Sequence, residues 1–220
     1  MNDYGDLLFR SFPLLMKGAQ MTIKVLIGAS LVSGTLGLAA GIVVCRKLRN
    51  RFFSPVIEAI AFVYRAVPFF IQLLIVYFVL PDLLEFNLAP FSASIIALGL
   101  CSFGYVTQII CTTIDTLPIS HWESAFLLGY NKYQTLVHVI LPQALRNAIP
   151  LLCNELESLL KSTAIVSSIG MLELTRAGMN IVSREMEPVP IYLTIAFFYL
   201  CMTAILNIVS KTIERRFRIC

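Results

Sequence analysis

The sequence predicts an all-α membrane protein of about five transmembrane helices. Three observations carry that expectation. The chain is 58% hydrophobic and only 14% charged, with a mean hydropathy of +0.81, whereas soluble domains average about 45–50% apolar and about 25% charged residues. Apolar runs recur at the length of a bilayer core, which needs about 20 helical residues. Basic residues gather at the ends of those runs, in Arg46-Lys47-Leu48-Arg49-Asn50-Arg51 and across Lys211–Arg218. The net charge of +4 therefore reads as membrane anchoring and not as nucleic-acid binding.

Residues 1–13 are mildly amphipathic and are expected to lie along one membrane face. The start, Met1-Asn2-Asp3-Tyr4-Gly5-Asp6, lacks the basic region of a signal peptide, so the first span is expected to remain as an anchor. That span covers 14–45. Within it Ser33, Gly37 and Gly41 recur at four-residue spacing, which lets another helix approach closely. The second span, 56–80, contains Pro68, expected to break or bend it. It also contains Arg65, which costs about 2.5–3.5 kcal/mol at the centre of a membrane helix and so requires an interface or a wet interior.

The third span, 91–117, holds Ser94, Ser102, Tyr105, Thr107 and Gln108, whose polar groups need partners inside a bundle. The segment 143–170 is the hardest to place, because Asn147, Asn154, Glu155, Glu157 and Lys161 are too polar for a lipid-facing span. If it crosses, it lines a cavity or an interface, and Glu157 and Lys161 are spaced to pair along one helix face. A polar stretch, 171–188, precedes the last span, 188–209, and the basic tail.

Orientation follows from the basic ends. The loop after the first span and the tail are rich in Lys and Arg, and the loop 81–90 has neither. The positive-inside rule puts the first two in the cytoplasm. They share a side only if 143–170 crosses. The count is then five, the N-terminus is outside, the C-terminus is cytoplasmic, and the loop 117–142 faces the cytoplasm.

That loop reads as two short capped helices. Ser120 and Glu123 have the spacing of a capping box, and Asn131 and Gln134 repeat it. Ala125 and Gly129 lie one turn apart, leaving a small face for another surface. A docking element is one reading; a helix pair resting on lipid is the other.

Catalytic signatures are absent from the sequence. No GxxxxGK[ST], GxSxG or HExxH occurs, so neither nucleotide hydrolysis nor another enzymatic activity is expected of this chain, and no cofactor or metal. His121 and His138 lack nearby metal-ligand spacing. Cys45, Cys101, Cys111, Cys153, Cys201 and Cys220 form no CxxC and read as small buried hydrophobes. The residues alone leave a transporter subunit, a stand-alone ion-coupled carrier using Glu155, Glu157 and Lys161, and a membrane anchor for a cytoplasmic enzyme.

The loop 117–142 resembles the EAA loop of permease subunits in ATP-binding-cassette importers of type I. That pattern is Glu-Ala-Ala, three residues, Gly, nine residues, then Ile-x-Leu-Pro. Here it reads Glu123-Ser124-Ala125, Gly129, then Val139-Ile140-Leu141-Pro142, with the spacing kept. Arg65-Ala66-Val67-Pro68 with Gln72, Asn154-Glu155 with Leu160-Lys161-Ser162-Thr163, and Ile169-Gly170-Met171-Leu172-Glu173 resemble the polar amino-acid branch of that family. The resemblance covers most of 17–217.

It implies that 1–220 is a single transmembrane domain of an amino-acid importer in a bacterial cytoplasmic (inner) membrane. It further implies a coupling helix using Trp122, Glu123, Ala125, Phe126 and Gly129. Glu123 would fix the helix start, Ala125 and Gly129 would admit a groove, and Trp122 or Phe126 would anchor the helix there. Tyr105, Gln108, Asn154, Glu155 and Ser158 would line the solute pathway. The implied partners are an ATP-binding subunit dimer holding ATP and Mg, a second permease subunit (identical or homologous), an extracytoplasmic solute-binding protein and a small polar amino acid. The third span departs from the branch: Gln108 and Cys111 stand where it carries an acid and a base, and Thr112 and Thr113 replace two glycines. The departure implies either a less strongly charged solute or a subunit that binds none.

Overall fold

The computed structural model describes residues 4–217. Cys220 and Arg218, named above, lie outside the described residues. Among those described, helices are joined by short turns and no strand occurs. The helices are α1 (Tyr4–Val44), α2 (Phe53–Ala66), α3 (Phe69–Leu74), α4 (Leu80–Leu84), α5 (Pro90–Asp115), α6 (Ile119–Leu127), α7 (Lys132–Thr135), α8 (Leu141–Ser162), α9 (Leu174–Glu185) and α10 (Pro188–Phe217). π-Helical turns join α3 to α4 and α7 to α8, and a 3-10 turn, Thr163–Ile169, continues α8 to Gly170.

The first helix is longer than expected. Residues 4–13 continue α1 as one rod, with Pro13 inside it. Packing explains why the proline does not end the helix: Leu7, Leu8, Leu15 and Ala19, on both sides of it, share an apolar cluster with Leu174, Ile181, Ile191 and Ile195 of α9 and α10. Farther along, the small-residue stripe finds its partner in α5. A Cβ on Gly37 would stand 2.6 Å from Val106, and one on Gly41 would stand 2.6 Å from Ile110. Contacts advance together along both helices, from Gly28 and Ile95 to Gly41 and Ile110, so α1 and α5 run parallel. Two parallel spans require one return crossing between them.

That return is a broken span. α2 ends at Ala66, Val67 is extended, and the chain turns through 104° before continuing as Phe69–Leu84. Pro68 is the break, as its fixed φ and missing N–H predict. Gln72 ties the corner by donating Nε2 to the carbonyls of Tyr64 (2.8 Å) and Val67 (2.7 Å). Among the described residues, four helices are long and apolar enough to cross a membrane, and the bent pair is a fifth if taken as one span. The doubtful 143–170 segment belongs to one of the four, the helical rod Lys132–Ile169.

The 171–188 stretch is more than a polar connection. Glu173 is fully buried and caps α9, accepting from the backbone N–H groups of Thr175 and Arg176, each at 2.8 Å. The Tyr199 hydroxyl of α10 donates to the same carboxylate at 3.1 Å, and Thr22 of α1 accepts from the Leu174 amide at 3.1 Å. Burial pushes the Glu173 carboxyl above its ordinary range, while the two backbone amides pull it down. Cys45 and Cys153 are buried, and Cys101, Cys111 and Cys201 are partly so; all five are free.

Candidate functional site

A cavity of about 340 Å³ opens where the second span breaks. Its wall combines Arg65 and Pro68 from the corner, Ser102 and Tyr105 from α5, and Glu155 and Ser158 from α8. Arg65 reaches it because α2 presses on α5 at Gly104, where a Cβ would stand 2.7 Å from the Ala61 carbonyl and 2.9 Å from Arg65 Cγ. Glu155 is held from the other side by Ser102, whose hydroxyl donates to Oε1 at 2.7 Å. The ion pairs among the described residues join Arg10 to Asp6, Arg46 to Asp115, Arg49 to Glu58 and Arg184 to Glu185. Arg65 and Glu155 do not pair, so one cavity presents a cation and a carboxyl group to whatever enters it.

Of the residues expected along a pathway, Tyr105, Glu155 and Ser158 line this cavity. Asn154 lies on an adjoining open groove with Glu157, Ser158 and Lys161. Gln108 is not in the wall; it is exposed and donates to Thr112 on its own helix at 3.1 Å. The expected Glu157–Lys161 ion pair along α8 does not form. Arg65 and Ser102 were missed as site residues. Their signal is polarity at depth, an arginine and a serine inside apolar runs.

The loop helix α6 differs from expectation in its caps and its faces. It starts at Ile119, with Pro118 at the N-cap position and no side-chain cap. Ser120 is therefore already inside the first turn and cannot close a box with Glu123, which is exposed. The second box does form: Gln134 donates its amide to Asn131 Oδ1 (2.9 Å), and the Asn131 amide donates to Gln134 Oε1 (3.0 Å). Gly129 ends α6. Its φ is +84°, and the amides of Gly129 and Tyr130 donate back to Phe126 and Ala125, a Schellman closure that suits glycine. A Cβ there would meet nothing within 4 Å in this chain, so within the chain Gly129 serves the turn.

Of the two expected anchors, Trp122 is only 3% exposed, whereas Phe126 is open. Trp122 joins Ile110, Ile114, Leu136 and Ile140 in a cluster that holds α6 on its own bundle, and Ala125 is buried as well. The free face is Phe126 with Leu127 (89% exposed), Leu128 (78%) and Tyr133 (73%).

The sequence family described as binding-protein-dependent transport system inner membrane component matches residues 33–219. The chain belongs to this family. A glutamine transport system permease protein of Escherichia coli is 30% identical over 95% of each chain. An L-cystine transport system permease protein of Bacillus subtilis is 34% identical over 96% of this chain and 90% of its own. Among solved structures, an amino acid ABC transporter with histidines superposes with a TM-score of 0.89 at 30% identity, covering 98% of this chain and 99% of that one. The MetNI methionine ABC transporter shares the fold, with a TM-score of 0.83 at 18% identity over 94% of this chain and 98% of that chain.

Proposed function

We propose that this chain is a permease subunit of an ATP-driven amino-acid importer in a bacterial inner membrane. The observation that carries the reading is the cavity shared by Arg65 and Glu155. A free amino acid bears a carboxylate and an ammonium group on one carbon. A guanidinium can take the first by charge-assisted hydrogen bonds, and a carboxylate beside a serine can take the second. Names of relatives that carry glutamine, arginine and cystine agree with a zwitterionic solute. The exposed face of α6 and the following turn would receive an ATP-binding subunit, one of a dimer that binds ATP and Mg. The N-terminus would lie outside and α6 in the cytoplasm. A second permease subunit would complete the path, and a solute-binding protein would deliver the amino acid from outside.

The mechanism follows from how α6 is attached. Trp122 fastens it to α5 and to the turn leading into α8, and Ala125 is buried beside it on the same helix. Movement of a docked ATPase is then passed to the helix that carries Glu155. In proteoliposomes containing the ATPase and the binding protein, Arg65→Ala and Glu155→Gln should each lower uptake by about tenfold to a hundredfold, the size of one lost charge-assisted contact. Recovery of the ATPase with the permease should be unchanged. Unaltered uptake in both variants would remove the cavity from the pathway.

A further inference from the structure

A second cavity, of about 440 Å³, lies between α1 and α9 and shares no wall residue with the one that holds Arg65 and Glu155. The two helices touch at its edge, where a Cβ on Gly18 would stand 2.9 Å from Leu174 Cα. Leu14, Met21 and Leu172 give it an apolar wall, and Leu14 and Leu172 are exposed. The charged residues of the wall are Lys17 and Arg184, with no acid among them, and Asn180 adds a side-chain amide. Both bases are exposed. Glu185, outside the wall, takes Arg184 Nε at 2.8 Å, one donor of a guanidinium that has five.

The depth of this cavity follows from α1. Residues 25–44 contain no charged side chain. At the rise of an α-helix they measure about 30 Å, the thickness of a bilayer's hydrocarbon core. Arg46 follows one end of that segment and Lys24 precedes the other. Lys17 lies about two turns beyond Lys24 on the same face, at the level of the lipid headgroups. Asp6, the one acid of α1, is paired with Arg10. On the core side of the cavity the same face exposes Ile27 and Leu31. Bases at headgroup level thus stand over an apolar track at chain level.

We infer that this cavity binds an anionic phospholipid. Its phosphodiester sits between Lys17 and Arg184, the Asn180 amide supplies a further donor, and an acyl chain follows Met21 toward Ile27 and Leu31. A guanidinium matches a phosphate in two parallel hydrogen bonds, and a lysine lays its stem on an apolar wall while its charge reaches the headgroup. Two bases without an acid in the wall select an anionic lipid, because a zwitterionic one brings a cation of its own. The bound lipid clasps α9 to α1 beside the Gly18–Leu174 contact. On the orientation proposed above it belongs to the outer leaflet; the site itself does not depend on the transport reading.

The test uses the full-length chain in nanodiscs of phosphatidylglycerol and phosphatidylcholine in equal parts, each lipid in turn carrying a photoreactive group on its acyl chain. Peptide mapping should place the phosphatidylglycerol adduct within 14–31 and 172–184, in excess over the phosphatidylcholine adduct there. Lys17→Gln and Arg184→Gln should each cut that excess by about fivefold, and Lys211→Gln, on the basic end of α10, should leave it unchanged. Glycerol phosphate, which has the headgroup charge and no chains, should not displace the adduct; displacement would make this a phosphate site and overturn the lipid. If the variants fail to accumulate, the wild type decides alone, since added salt should narrow the excess, and an excess indifferent to salt overturns the inference. Equal labelling by the two lipids, or an excess that survives both substitutions, also overturns it. So does an absence of label at these residues, the result expected if a second copy or another protein covers them.

Discussion

Glu155 and Glu173 are two carboxyl groups drawn inside the protein for opposite ends. Glu155 has one protein partner, Ser102, and an open cavity in front of it. Glu173 is enclosed by the Thr175 and Arg176 amides and the Tyr199 hydroxyl, with nothing left over for a ligand. Replacing Glu173 by alanine removes a helix cap and strands those donors, so it should destabilise the fold by about 2–4 kcal/mol, measured as a lower unfolding midpoint in detergent. Because burial raises the Glu173 carboxyl from its ordinary value of 4.5, the folded state holds that proton more tightly than the unfolded chain. Its contribution is then complete below the ordinary value and is lost as pH rises through the raised one. The wild type should therefore lose stability relative to Glu173→Gln over that rise, and a gap between the two that does not change with pH would contradict this account. None of this was legible in the sequence, where Glu173 looked like one more charge in a polar stretch; its burial depends on Tyr199, and its neighbour Leu174 on Thr22, far away in the chain.

Among the elements, those set by local backbone chemistry were readable. Pro68 broke the second span as its covalent structure requires, the Asn131–Gln134 box closed, and Ser33, Gly37 and Gly41 lay buried along α1, the two glycines against α5. The structure departs from the sequence expectation where two local signals compete or where a face must be assigned. Pro118 set the start of α6 and displaced the Ser120 cap. Between Trp122 and Phe126 the sequence does not choose an anchor, because a short amphipathic helix does not reveal which of its apolar residues belongs to its own bundle; the structure buries Trp122 and leaves Phe126 open. Gly129 is the position whose conformation only the structure supplied. Gly129→Val forces a β-branched side chain into the left-handed region at about 1–2 kcal/mol and loosens the C-terminal closure of α6. Insertion should survive while ATP hydrolysis in the reconstituted complex continues with less solute moved per ATP. An unchanged ratio would take the α6 closure out of the coupling step.

For the whole molecule, the parallel run of α1 and α5 requires one crossing between them, which the bent pair provides. The orientation drawn from the basic ends is tested separately. In sealed cells, Arg49→Cys should be labelled by an impermeant thiol reagent only after the membrane is opened, and Asp82→Cys should be labelled without opening it. Labelling of both from the same side would invert the topology. The central claim is that this fold moves an amino acid when an ATPase pulls on α6. The most direct measurement is uptake of a labelled amino acid by proteoliposomes holding the permease, the ATPase and the binding protein, with the wild type compared with Leu127→Asp. The account predicts uptake that requires ATP and is lost in Leu127→Asp together with the bound ATPase. Uptake by the permease without the ATPase, or an ATPase that binds and hydrolyses while no solute enters, would contradict it.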